Sequence, residues 1–373
     1  MAPLTQDVVG YEEWLRHQCD VVEGDLLFKH ERMRKDAHTF LRATYFRWAK
    51  GALRFAADCL DAPSVLAIGD CHVENFGTWR DAEGRQVWGV NDFDDAAIMP
   101  YSLDLVRLAT SATLAQRRES PAPDVCAAIL EGYVNGIQQP RPVLLEQGFP
   151  WFGKLMWELI DKPQEFWQSL ENLEHVNPPR GIVRMFERSL PRGATLEWVA
   201  PRRRGGGGLG RPRYCAMANW QGGAIVREAK ALVPSSWYWA NNRKTKASRF
   251  IDVANGAYRS PDPFLQICDS FILRRIGPDS RKLDIDDVAK AGRGPQLLEA
   301  MGRDVGSIHA AHRRVSEVLT HLRSQPKGWL LDCTARSTAS VLEDYDTWRT
   351  LVPSDSPRQS DRRPHRKAHK RGQ

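Results

Sequence analysis

Two short apolar runs, each ending in carboxylates, constrain this chain more than any other feature. Val65-Leu66-Ala67-Ile68 leads into Gly69-Asp70-Cys71-His72-Val73-Glu74-Asn75-Phe76-Gly77, and a second run over residues 87–90 leads into Asn91-Asp92-Phe93-Asp94-Asp95-Ala96. Apolar runs of this length bounded by turn residues read as short buried strands. Asp70, Asn75 and Asp92 are therefore expected at the same edge of a mixed α+β core. Such a set is what Mg²⁺-dependent phosphoryl transfer needs: one carboxylate orients the nucleophile, while an amide and another carboxylate hold the metal on the phosphates.

The spacing of the three elements sharpens the expectation. Asp70 to Asn75 resembles the H-G-D-x-x-x-x-N of aminoglycoside and choline kinases, with Ile68 where that group has His. Residues 91–96 resemble its I-D-F-D-D-A, and Asp104-Leu105 falls where it has D-L-A. The strings G-D-x-H-x-x-N-F-G and N-D-F-D are present literally, and on them the chain resembles, over nearly its whole length, the bacterial domain-of-unknown-function family 2252. That family is kinase-like in fold, and its substrate is unsettled. The resemblance implies ATP and Mg²⁺ as cofactors, Asp70 as base or orienter with His72 beside it, and Asn75, Asp92 and Asp94 as metal ligands. Asp104 reads as a buried anchor of the catalytic-loop backbone, Asp95 as solvent-facing, and Arg42 as an ion-pair partner.

Residues 195–232 change character, with β-like runs separated by turn signals: 195–199, 213–220 and 224–232. The glycines Gly205, Gly206, Gly207, Gly208 and Gly210 lie between the first two, where bare backbone N–H groups can approach phosphates. Two basic residues compete for the phosphate-holding position. Lys230 lies 22 residues after Gly208, whereas Val226-Arg227-Glu228-Ala229 aligns with a V-K-E-A run of the wider family, which would give Arg227 that role. Period-2 alternation puts the two on opposite strand faces, so one of them reaches the nucleotide. No Glu occurs from residue 231 to 270 to serve as the usual helix partner of such a lysine.

A helix is expected over residues 297–323, with Gly302 to His309 resembling the L-G-x-x-L-x-x-L-H that precedes the catalytic loop in small-molecule kinases. Here it follows that loop by more than two hundred residues. The expected fold is thus a two-lobed, protein-kinase-like α+β fold in circularly permuted order. Residues 1–180 form the helical part with the catalytic and metal loops, 181–285 a β-rich nucleotide lobe, 286–350 the helices completing the catalytic lobe, and 351–373 a disordered basic tail.

The net charge of +7 places little constraint on function, because the tail holds seven Lys/Arg against Asp355 and Asp361 and leaves only +2 for the rest. The tail reads as a solubilising segment, with weak contact to nucleic acid or an anionic surface as the alternative. No run approaches eighteen apolar residues, the start lacks signal-peptide character, and the seven cysteines contain no C-x-x-C. A cytoplasmic protein with reduced thiols and no membrane partner is expected. Cys71 reads as loop filler rather than nucleophile. The phosphoacceptor, small molecule or protein, and the oligomeric state are not legible. The alternatives to a phosphotransferase are a pseudokinase or nucleotide-binding module, a nucleotidyl (AMP) transferase, and a metallophosphoesterase, for which the upstream D-x-H and downstream G-N-H-D/E are missing.

Overall fold

The computed structural model describes residues 3–147, 163–245, 247–280, 282 and 293–351. It begins with α1 (Leu4–Arg16), α2 (Glu23–Arg32), α3 (Ala37–Ala43) and α4 (Tyr45–Phe55). Asp36 caps α3 by accepting from Thr39 N at 2.7 Å, satisfying one of the donors a helix start leaves open. The aromatic stripe of α4 (Tyr45, Phe46, Trp48 and Phe55) is buried in the core.

Four short strands follow: β1 (Ser64–Ala67), β2 (Phe76–Arg80), β3 (Gln86–Val90) and β4 (Ala97–Pro100). β1 pairs antiparallel with β4, while β2, β3 and β5 (Val143–Leu144) form a separate three-stranded sheet. Between them run α5 (Tyr101–Ala115) and α6 (Pro123–Gln138). Every residue of α5 except the last is buried, so it is a central helix whose polar side chains must find partners inside the protein.

α7 (Pro163–Glu171) and α8 (Arg180–Ser189) lead into β6 (Thr195–Pro201), β7 (Arg213–Trp220) and β8 (Gly223–Ala231). Gln221 and Gly222 make the β7–β8 turn with φ of 51° and 79°, the left-handed pair that a two-residue hairpin favours. After α9 (Ser236–Ala240) and α10 (Phe250–Ala254), strands β9 (Gln266–Cys268) and β10 (Phe271–Arg275) complete a five-stranded antiparallel sheet in the order β6-β7-β8-β10-β9. Met185 and Phe186 of α8 pack on one group of its side chains, and Leu170 of α7 on another.

The chain closes with α11 (Gly294–Ala310), α12 (Val315–Ser324) and α13 (Trp329–Leu351). The helix expected over residues 297–323 is therefore two helices. Arg313, at φ 60°, takes the left-handed conformation that breaks the run. α11 packs on α6 through two glycine pairs. A Cβ on Gly132 would stand 1.9 Å from the Glu299 carbonyl oxygen, and one on Gly302 would stand 2.2 Å from that of Ile129. Gly136 and Gly306 meet the facing backbone just as closely. α11 also contacts β1 and β3, and one large apolar core runs from Leu4 of α1 to Trp348 of α13. The expected basic tail lies outside the described residues beyond Leu351. Among the described residues no helix is long and apolar enough to cross a membrane.

Candidate functional site

α5 grips the loop that follows β1 at three points. Asp104 accepts from Ile68 N at 2.7 Å and Gly69 N at 2.9 Å, Arg107 donates to Asp70 Oδ1 at 2.7 Å, and Ser111 Oγ accepts from Val73 N at 3.1 Å. Positions 104, 107 and 111 recur at helical spacing and share one face. Gly69 is required in this loop: its φ is +82° and a Cβ there would lie 2.1 Å from the Asp95 carbonyl oxygen. Asp104 is thus the loop anchor that the sequence indicated. Arg107 was not foreseen, although its signal was a lone basic residue in a helix whose other residues, Asp104 apart, are apolar or hydroxyl-bearing. It is fully buried and lies over the rings of Tyr45 and Trp48.

Asp70 lines a cleft between this loop and the five-stranded sheet. Burial pushes its carboxyl up to about 6, with Arg107 pulling the other way. His72 Nε2 lies 3.8 Å from Asp70 Oδ2. Burial, together with Arg42, holds His72 far below the ordinary histidine range, so its ring is neutral at physiological pH. Cys71 is buried with its thiol pushed well up by burial, which leaves no thiolate to act as a nucleophile.

Asn75 donates from Nδ2 to the carbonyl oxygens of Asp70 at 3.1 Å and Asp92 at 2.9 Å, tying the two loops together. Its Oδ1 is buried and has no hydrogen-bond partner, and the same holds for Asp94 Oδ1. Burial works against ionisation of Asp92, but Lys230, Lys282 and Arg274 outweigh it and hold the carboxyl well below the usual carboxylate range. The open oxygens are thus Asn75 Oδ1 and Asp94 Oδ1, whereas Asp92 Oδ1 accepts from Asp94 N at 3.4 Å and its Oδ2 from Lys230 at 3.0 Å. Hard oxygen donors of this kind suit Mg²⁺. Among the described residues, the one group of three Asp, Glu, His or Cys with converging ligand atoms is elsewhere, at Asp58, Cys59 and Cys333. There Arg336 already occupies both Asp58 oxygens at 2.7 Å.

Asp95, expected to face solvent, is buried. Its Oδ1 accepts from Ser236 N at 2.7 Å and its carbonyl from Ser235 Oγ at 2.8 Å, so it fastens the start of α9 to the loop after β3. Arg42 pairs with Glu74 Oε2 at 2.7 Å at the rim.

The glycine run folds directly over Asp70. A Cβ on Gly207 would lie 2.8 Å from the Arg42 carbonyl oxygen and 3.6 Å from Asp70 Oδ2, and one on Gly208 would lie 3.0 Å from Lys230 Cε. Gly205 to Gly208 line the cleft with Asp70, His72, Asn75, Asp92, Asp94 and Lys230. Gly210 does not; at φ +93° it packs on Leu26 of α2. α2 further fixes the loop through Arg32 to the Gly205 carbonyl at 2.8 Å and through Asp25 to Arg203 at 2.6 Å.

Lys230 Nζ contacts Asp94 Oδ2 and lies 3.0 Å from Asp92 Oδ2. Arg227 points the other way, with its guanidinium over the Phe264 ring at 4.5 Å, and does not line the cleft. Glu228 does not partner Lys230. Its carboxylate takes Arg202, Arg213 and Arg274 instead. Arg211, also unforeseen, donates to Asp94 Oδ2 at 2.8 Å.

α11 buttresses both loops from behind. His309 Nε2 donates to Asp104 Oδ2 at 2.9 Å, and Asp304 Oδ2 accepts from Val90 N at 2.8 Å, immediately before Asn91 and Asp92.

Residues 22–142 match the model of a family described as "Uncharacterized protein conserved in bacteria (DUF2252)". This stretch holds Asp70, His72, Asn75, Asp92 and Asp94 but not the glycine run or Lys230. No curated protein matches the chain, and no solved structure does.

Proposed function

We propose that this chain is a Mg²⁺- and ATP-dependent phosphotransferase of kinase-like, circularly permuted architecture, acting on the hydroxyl of a small molecule or a protein. The observation that carries this reading is the convergence of Asp70, Asn75, Asp92, Lys230 and the Gly205–Gly208 backbone on one cleft, from segments more than a hundred residues apart. The position of α11 behind β1 and β3 supports the permuted order. In this reading Asp70, aimed by Arg107, takes the proton of the acceptor hydroxyl as its oxygen bonds to the γ-phosphorus and the β–γ bridging bond breaks, releasing ADP. Asn75, Asp92 and Asp94 would hold Mg²⁺, which supplies charge neutralisation at the phosphate oxygens. Lys230 would hold phosphate oxygens beneath the glycine run, and neutral His72 would help to position Asp70.

A second reading, nucleotide binding without turnover, draws on Lys230, which is held by the metal-site carboxylates rather than by a helix glutamate. A metabolite screen with ATP labelled at the γ or α position separates the alternatives. Transfer of γ-label supports the phosphotransferase, transfer of α-label a nucleotidyl transferase, and a Mg²⁺-dependent thermal shift with no transfer a binding module. A ligand at 100 times its Kd should stabilise the fold by about 2.7 kcal/mol. Absence of any shift with nucleoside triphosphates and Mg²⁺ would overturn the proposal.

A further inference from the structure

Glu228 is almost completely buried and yet faces three arginines. Arg202 Nη1 lies 2.8 Å from its Oε2, Arg213 Nη1 lies 3.3 Å from Oε1, and Arg274 reaches Oε1 through Nε at 2.9 Å and Nη2 at 2.5 Å. One carboxylate cannot neutralise three guanidinium groups. Burying charge costs several kcal/mol per ion unless it is paired. Arg202 and Arg213 are buried and share this one carboxylate, whereas Arg274 is 32% exposed and also feels Asp92 and Asp94, so room for a further anion lies along Arg202 and Arg213. Arg204 beside them is exposed and has no hydrogen-bond or ion-pair partner among the described residues. Arg213 of β7 also stands directly opposite Lys230 of β8 in the sheet register, a like-charge placement that costs stability unless each cation has its own anion, here Glu228 for Arg213 and Asp92 with Asp94 for Lys230.

This cationic strip joins two cavities. Arg213 and Lys230 line the cleft at Asp70, whose lining is made only of charged residues, His72, Asn75 and glycines. Arg202, Arg204 and Arg274 line a neighbouring pocket walled by Trp79, Phe93, Phe166 and Leu265, and Lys282 lines both.

We infer that Arg202, Arg213 and Arg274, organised by Glu228, form a polyphosphate-binding cradle linking the two cavities. The organic part of the ligand occupies the apolar cavity, and its phosphate chain runs along the cradle to end beside Asp70. The inference rests on the proposed nucleotide site and adds the residues that hold its phosphate chain and the direction in which that chain runs. Glu228 is a positioning residue, because it acts through the arginines. Guanidinium–phosphate contacts are charge-assisted and often bidentate, so the cradle reads the length of the phosphate chain rather than the attached group.

The test is calorimetric titration of the full chain with Mg²⁺ and, in turn, ATP, ADP, AMP and inorganic tripolyphosphate, on the wild type and on Arg213→Gln and Arg274→Gln. Each variant leaves Glu228 two arginines, and apo melting curves check that each is folded. The cradle predicts that tripolyphosphate binds without any base and that affinity falls from ATP to ADP to AMP. It also predicts that each variant weakens ATP and tripolyphosphate by about 10- to 100-fold while changing AMP less than about twofold. ATP binding of wild-type strength in both variants, or failure of the wild type to bind tripolyphosphate while it binds ATP, overturns the cradle and leaves the proposed function standing. Tripolyphosphate binding with no ATP binding upholds the cradle and removes the proposed function.

Discussion

His309 donates to Asp104 across 205 residues of sequence, and through that 2.9 Å contact the last turn of α11 supports the backbone of Ile68 and Gly69. Tyr133 Oη, 3.0 Å from His309 Nδ1, holds the ring in place from α6. Replacing His309 with Phe should cost about 1–3 kcal/mol, since a buried carboxylate loses a donor. Asp104→Asn should cost more, because whichever way the amide turns, its NH₂ faces backbone N–H or imidazole N–H. Thermal melts of the two variants give the ranking, and equal or reversed costs would show that the contact is incidental.

Asp70→Asn should leave nucleotide affinity nearly intact and lower turnover by roughly 10²- to 10⁴-fold, the usual worth of a positioned base. Full turnover in a working assay would rule out the role given to Asp70.

The acid limb of kcat/KM should fall near pH 6. Burial raises the Asp70 carboxyl to about 6, so the active, ionised form is lost as the pH drops through that value. Arg107 opposes the rise, so Arg107→Met should move the limb to higher pH. A limb that stays in place in this variant would mean that another group is being titrated.

Lys230→Met should impair nucleotide use far more than Arg227→Met, since only Lys230 faces the carboxylates and the glycine run. Calorimetry with Mg²⁺ and ATP decides this, and a larger loss in the Arg227 variant would reverse the assignment.

The parts of the site that sequence disclosed are local strings: two strand-to-loop turns, a glycine run, and a strand bearing both basic candidates. Lys230 and Arg227 were separated in advance by strand periodicity alone, because side chains alternate faces whatever the tertiary context. Burial was harder to read. Asp95 looked like a surface acid because its partners, Ser235 and Ser236, come from α9, 140 residues away. Arg202 and Arg213, on either side of the glycine run, carried no signal of their own, because the register of β7, β8 and β10 is what gathers them with Arg274 on Glu228. The break at Arg313 left no apolar gap in the pattern, and neither glycine nor proline marks it.

The glycine seam between α6 and α11 makes the rear of the molecule the gauge for its front. Because backbone touches backbone at Gly132, Gly136, Gly302 and Gly306, α11 has no slack in height or rotation, and Asp304 and His309 carry that fixed setting to the Asp92 and Asp70 loops together. A single added methyl group at the seam would push the helices apart and shift both loops at once. Such a lesion would leave every cleft residue intact and still put the two halves of the site out of alignment, so an inactive natural variant need carry no change within the cleft.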